Sequence, residues 1–323
     1  MPHSAAVQSA PKAPLEVQDV ETPQLGPHEL LINNELIALV PIDAKLAKLA
    51  VFPIEYPAIL GTSYGGTIAA VGSEVTNFKV GDKVAAVKTA GVSGNKYSAF
   101  QKYVVSRDVT ASKVPESVDL HIPVGLIGNF STIVGLFNEH LGLERPDPVN
   151  KVPSKGKTIL IYGWIQSRHH HLPQHKDFVA KLGAVHVVDH TQSHDAVVKE
   201  LVAQGPYDYV VDSISLKPTF DITAEVVAAQ GGGKLYALLP PPEPSSIPKS
   251  VAAEFGSWSV PLGQEKNAEL LKWAFGTYFT QAVTNDRIVA LPSQKIDGGL
   301  GGLNKAVDVL FKGVSGLKVV VEP

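Results

Sequence analysis

Two rhythms of apolar residues divide the chain. Up to about residue 115 the apolar runs are short and broken by glycine. LLINNELIALV (30–40) is apolar and β-leaning, and Pro41 closes it. In YPAILGTSYGGTIAAVGSEVTNFKVGDKVAAV (56–87), glycines at 61, 65, 66, 72 and 81 cut the apolar stretches into a meander of short strands. Gly72 with Ser73 and Gly81 with Asp82 supply the backbone freedom that tight turns need. YSAFQKYVVS (97–106) adds a further strand. From about residue 122 the spacing turns helical, in VGLIGNFSTIVGLFNEHLGL (124–143).

Beyond the polar, proline-bearing LERPDPVNKVPSKGK, strands and helices alternate. TILIYG reads as a strand, QHKDFVAKLG as a helix, VHVVDH as a strand and HDAVVKELVAQG as a helix. YDYVVDS, PTFDITAEVVAAQGG and KLYALLP continue the pattern. Such alternation predicts an α/β fold with a doubly wound parallel sheet. A helix, LNKAVDVLFKG (303–313), and a strand, LKVVVE (317–322), complete the tail. The glycine clusters at 231–233 and 298–302 read as a helix end and a loop, not as phosphate sites.

The sheet has a gap in its script. TILIYG ends at Gly163, where a glycine-rich turn should feed a helix N-terminus whose free N–H groups and dipole hold a pyrophosphate. Only nine residues separate Gly163 from Pro173. A parallel crossover takes about a dozen residues or more, usually with a helix, so one βα unit is missing. In its place stand Arg168 and three consecutive histidines. His169, His170, His171 and His175 read as a solvated loop, as metal ligands, or, with Arg168 and Lys176, as contacts to a phosphate. Adjacent histidines point in different directions, which disfavours a shared metal.

Composition narrows the chemistry. At 323 residues, with 44% hydrophobic and 18% charged residues, the chain suits two globular domains. A net charge of -3 gives no general attraction to nucleic acid or anionic membrane. No apolar run matches a membrane span, and the start lacks a signal-peptide pattern, so a cytoplasmic location is expected. Cysteine is absent, which excludes disulfides, thiolate nucleophiles and cysteine-based zinc sites.

ILGTSYGGTIAAVGSEVTNFKVGDKVAA, VPIDAK (40–45), NFSTIVGLF (129–137) and VSGLKVVVE together resemble the medium-chain dehydrogenases/reductases, in the quinone and enoyl reductase branch. VPIDAK is similar to that branch's "NPxDxK", with Val40 in place of asparagine. The fungal trans-acting enoyl reductases that serve polyketide synthases look most similar. The resemblance implies a GroES-like β domain over 1–122, joined by 280–323, and a Rossmann-type domain over 123–279 that is short of one βα unit. Zinc-dependent members carry "GHE" where this chain has Gly61-Thr62-Ser63, so no metal is expected.

The resemblance further implies NADPH held between the two domains. Lys45 and Thr132 match polar positions of the family's active cleft and are the expected catalytic residues. Pro41, Ile42, Asp43 and Ala44 would line the nicotinamide. Gly163 ends the first Rossmann strand, and Leu172, Pro173, Gln174 and His175 match a loop on the ribose side. His190 would pack on adenine. Leu238, Leu239, Val319 and Val320 would approach the nicotinamide.

Plain readings stand beside these. Lys45 is equally a surface residue after a turn, Thr132 a helix hydroxyl bonded to its own backbone, and Asp43 a helix cap. A buried strand explains the four apolar residues. The expected function is NADPH-dependent reduction of an activated double bond, in an enoyl thioester or quinone, with a polyketide synthase as partner. The alternative is a relative that has lost cofactor affinity and only binds partners.

Overall fold

A computed structural model describes residues 2–88, 92–147, 156–163, 173–242, 247–285 and 287–323, with backbone alone at 173–175. Contacts divide the chain into two compact units, Met1–Lys151 with Trp258–Pro323, and Val152–Ser257.

The first unit opens with β1 (Pro2–Gln8), β2 (Leu15–Glu21), β3 (Glu29–Ala38), α1 (Pro41–Leu49), β4 (Ala58–Ile59), β5 (Ser63–Val71), β6 (Lys83–Val87), β7 (Tyr103–Arg107), β8 (Ala111–Lys113) and α2 (His121–Ile133). Helix α2 runs on into wider turns over Val134–His140. The second unit contributes β9 (Ile159–Tyr162), α3 (Pro173–Lys181), α4 (His194–Gln204), β10 (Tyr209–Asp212), α5 (Lys217–Ala229), β11 (Gly233–Ala237) and β12 (Val251–Phe255). The chain then returns to the first unit with α6 (Ala268–Leu271), wider turns over Lys272–Phe279, α7 (Thr280–Thr284), β13 (Ser293–Lys295), α8 (Leu303–Lys312) and β14 (Lys318–Val321).

Unit one is built on two sheets, β2-β1-β4 and β13-β14-β3-β5-β6-β8, with β7 also paired to β3. Side chains alternate across a strand, and here both faces are covered. Ile37 and Leu39, Val84 and Ala86, and Val319 and Val321 enter one core with α1 and α8 residues. Leu36 and Ala38, Ala85 and Val87, and Val320 enter a second, with Val124 and Ile127 of α2 and with Leu270 and Phe275. The near-continuous apolar runs of these strands follow from that double burial. They also explain why the segment read poorly as an alternating pattern.

The same packing moves the domain borders. Of the described residues, 123–147 and 258–279 fall with the first unit, not with the second as the sequence suggested. The physical reason is that α2 and the α6–α7 segment bury their apolar faces on the outer side of the β3–β5–β6 sheet.

Unit two is a parallel sheet in the order β12-β11-β10-β9, a Rossmann-like arrangement reduced to four strands among the described residues. Its register runs from Tyr209 opposite Ile159 to Asp212 opposite Tyr162. Leu160, Val197, Leu201, Phe220, Val227 and Leu235 form the core. VHVVDH (185–190) is not a strand, and Val185 is 87% exposed. In the order 3-2-1-4-5-6, a third strand reaches the sheet only through the second. The chain between β9 and α3 is too short to provide that second strand, so these valines have no ladder to join.

Candidate functional site

Helix α1 starts where its residues dictate. Pro41 occupies the first helical position, where a missing N–H costs nothing. Val40 has no side chain with which to cap, and Asp43 supplies the cap. Its Oδ2 accepts from the Val40 N–H at 2.9 Å, while the Asp43 N–H donates to the Val40 carbonyl at 2.9 Å. The other carboxylate oxygen, Oδ1, accepts from the Thr62 hydroxyl at 2.6 Å. Asp43 is fully buried, so of the alternatives for this residue the structure takes the cap. Its carboxylate has nothing left to offer a nicotinamide.

Two lysines from elsewhere in the unit act on that carboxylate by their positive charge. Lys318, at the start of β14, is buried, and Lys88 follows β6 and donates to Ser98 Oγ at 2.8 Å. Burial pushes Asp43 up to about 6, against the bonds from Thr62 and Val40 and the nearby positive charges. Burial likewise pushes Lys318 down to about 8, opposed by Asp43. The sequence held a signal for Lys318. It shares the alternation of Val320 and therefore faces the interior, an unusual place for a lysine.

These shifts set a pH dependence. Lys318, with its folded value depressed, contributes stability that is complete above about 10.5 and lost as pH falls through about 8. Asp43, with its folded value raised, contributes stability that is complete below 3.8 and lost as pH rises through about 6. Urea unfolding between pH 8 and 10.5 is therefore expected to show a gain of about 3 kcal/mol in the natural chain. Lys318→Met lacks that gain. Parallel curves for the two proteins would disprove the assignment.

Helix α2 reaches this place through its glycines. A Cβ on Gly128 would lie 2.0 Å from Ser63 Oγ and 3.1 Å from Val40 Cγ1, so only glycine lets the helix lie this close. Gly125, three residues earlier on the same face, passes over the Lys318 side chain. Thr132 stands one turn beyond Gly128 on that face. Its neighbour Ser131 spends its hydroxyl on the Gly128 carbonyl at 2.9 Å, whereas the Thr132 hydroxyl has no partner among the described residues. Lys45 is half-buried and also without a partner among them, and burial lowers its pKa. Ser63 Oγ is buried and unpartnered. Thr132 is thus not bonded to its own backbone, and neither its hydroxyl nor the Lys45 ammonium has a partner among the described residues.

The other expected residues fare unevenly. Pro41 is exposed, Ile42 half-buried, and Ala44 belongs to the core. Val319 and Val320 are fully buried on opposite faces of β14, and their carbonyls accept from Leu39 and Ile296 at 3.0 and 2.9 Å. They are core residues, with no surface for a cofactor.

In unit two, Gly163 follows β9 with φ +87, and a Cβ there would lie 2.3 Å from Ile214. Asp212, buried at the end of β10, accepts from the N–H groups of Ile214 and Ser215 at 2.9 and 2.8 Å and from Thr219 Oγ1 at 2.8 Å. Burial raises its pKa against those bonds. Ser215 Oγ accepts from the Leu238 N–H at 2.8 Å. The Leu238 backbone donor expected to face a nicotinamide is therefore spent inside this network, while Leu239 is half-buried beyond the strand. His190 is half-buried in a turn. Leu172 and Arg168–His171 lie outside the described residues, as do the side chains of Pro173, Gln174 and His175 at the start of α3.

A dinucleotide fits this chain only in part. Lys45 and Thr132 suit the reacting end of a reductase site. Among the described residues of unit two, however, no helix start directly follows Gly163 to cradle a pyrophosphate.

Residues 26–116 match the alcohol dehydrogenase GroES-like domain. The chain is 30% identical over 313 residues to the trans-enoyl reductase himH of Aspergillus japonicus, covering 91% of this chain and 89% of that protein. It is 27% identical to lovC of Aspergillus terreus, the enoyl reductase component of lovastatin nonaketide synthase, over 93% of this chain and 90% of that one. In fold it is similar to a quinone oxidoreductase of Pseudomonas syringae, with a TM-score of 0.73 at 18% identity, covering 100% and 99% of the two chains. A mycobacterial protein solved in complex with NADPH gives a TM-score of 0.73 at 19% identity, with both chains covered completely.

Proposed function

Because the chain belongs to the medium-chain dehydrogenases/reductases, in their enoyl and quinone reductase branch, we propose that it is a zinc-independent reductase of an activated carbon–carbon double bond, with NADPH as its reductant. The observation that carries this reading is that the Lys45 ammonium and the Thr132 hydroxyl, each half-buried, have no partner among the described residues. Reduction of a double bond conjugated to a carbonyl places negative charge on the carbonyl oxygen. Preorganised donors aimed at that oxygen lower the barrier most where water is scarce. Lys45 brings a cation to this task and Thr132 a hydroxyl. Bound NADPH would supply the hydride. An enoyl thioester presented by a polyketide synthase is the substrate and partner that the names of himH and lovC favour.

The four-stranded sheet favours a second reading, a relative with impaired cofactor binding that acts only by holding partners. NADPH titration of the purified chain, followed by cofactor fluorescence, separates the two. Saturable binding with Kd below about 1 mM, worth roughly 4 kcal/mol, is the expected result. Silence at that concentration overturns the reductase reading and leaves the second.

A further inference from the structure

We propose that Asp43, Thr62 and Lys318 form a positioning device: they hold the inner side of the first turn of α1 and thereby fix the direction in which Lys45 leaves the helix. The role assigned to Lys45 rests on the reductase reading; the device itself rests on geometry.

Two separate segments bond one buried carboxylate, and a third brings a buried positive charge that acts on it. Val40 N–H and Thr62 Oγ1 each take one oxygen of Asp43, at 2.9 and 2.6 Å. Lys318 arrives from β14, which is itself bonded to β3 through Val320 opposite Ala38, just ahead of the helix. Lys88 adds a second positive charge but is tied to Ser98. A simple helix cap needs only the Val40 bond. The bond from Thr62 is surplus to capping and ties the turn to the residue just ahead of β5, while the buried Lys318 of β14 adds a positive charge acting on the same carboxylate.

The helix then sets the consequence. Successive residues rotate by about 100°, so Asp43 and Lys45 stand about 200° apart around the axis. A first turn pinned inward by Asp43 holds Lys45 on the opposite side, where it is half-buried and without a partner among the described residues. If the pin is released, the turn is free to rotate or fray, and Lys45 loses its fixed direction.

Thr62→Val is the discriminating variant, since it keeps shape and leaves the Val40–Asp43 bond intact. Two readouts need neither cofactor nor turnover. Amide exchange of Lys45–Leu49 is expected to quicken roughly fivefold or more, as for loss of one buried hydrogen bond, while the β7 amides keep their rates. Isotope-coded amine labelling across pH is expected to show the Lys45 pKa moving up toward the ordinary lysine range. Lys318→Met should move both readouts the same way, and Thr62→Ser should restore them. Natural rates and an unmoved Lys45 in both Thr62→Val and Lys318→Met overturn the proposal. So does an equal acceleration at β7, which would mark general loosening. A chain with no reductase activity still passes or fails this test, so the two conclusions stand or fall separately.

Discussion

Rebuilding the missing crossover is expected to raise NADPH affinity about a hundredfold. The variant replaces residues 164–172 with a glycine-rich turn, a helix and a second strand of the length a parallel crossover demands. The gain comes from a short list of interactions. A hydrogen bond to a charged group contributes about 1.5–3 kcal/mol, and a helix N-terminus adds up to about 1–2 kcal/mol beside an anion. One such bond with the dipole supplies close to 3 kcal/mol, and about 1.4 kcal/mol is tenfold in Kd. The rebuilt strand should also give Val185–Val188 a ladder to enter, so amide exchange there should slow. The two measurements check each other. Protected valines with unchanged NADPH affinity would show that the fold was restored and that the pyrophosphate seat was not the limiting loss.

That gap was legible in the sequence because it is a matter of chain length, which no packing can override. Strand and helix types were legible for the same kind of reason: β10, α5, β11 and α8 carry periodic apolar positions between clear glycine or proline stops. VHVVDH failed because a strand exists only with a neighbour, and local propensity holds no record of a neighbour's absence. Val319 and Val320 were mistaken for cofactor contacts because a strand buried on both faces looks the same as one that borders a ligand. The domain borders slipped for a related reason, since α2 is amphipathic enough to cover either sheet. Asp43 was readable both ways until Thr62 came into contact with it across nineteen residues. Such a pairing leaves no periodic trace. Lys318 was different, because its inward register among valines was visible and went unused.

Truncating Phe220 to alanine is expected to unfold the second unit while the first remains folded. Phe220 is 1% exposed and lies in α5, which packs on β10 and β11. Removing a buried phenylalanine side chain costs about 3–5 kcal/mol, through lost burial and the cavity left behind. A domain has only about 5–15 kcal/mol in total, and among the described residues this one has four paired strands over which to spread the loss. The first unit draws on two cores of its own, neither of which contains Phe220. Urea titration followed by amide exchange should therefore show β10 and β11 losing protection first, with β3 and β5 still protected. Val202→Ala is the matched control: at 38% exposure on α4, it should cost less than about 0.5 kcal/mol. If instead Phe220→Ala shifts all four strands together, the units unfold as one. The second unit could then not lack a crossover without weakening the first, which carries Lys45.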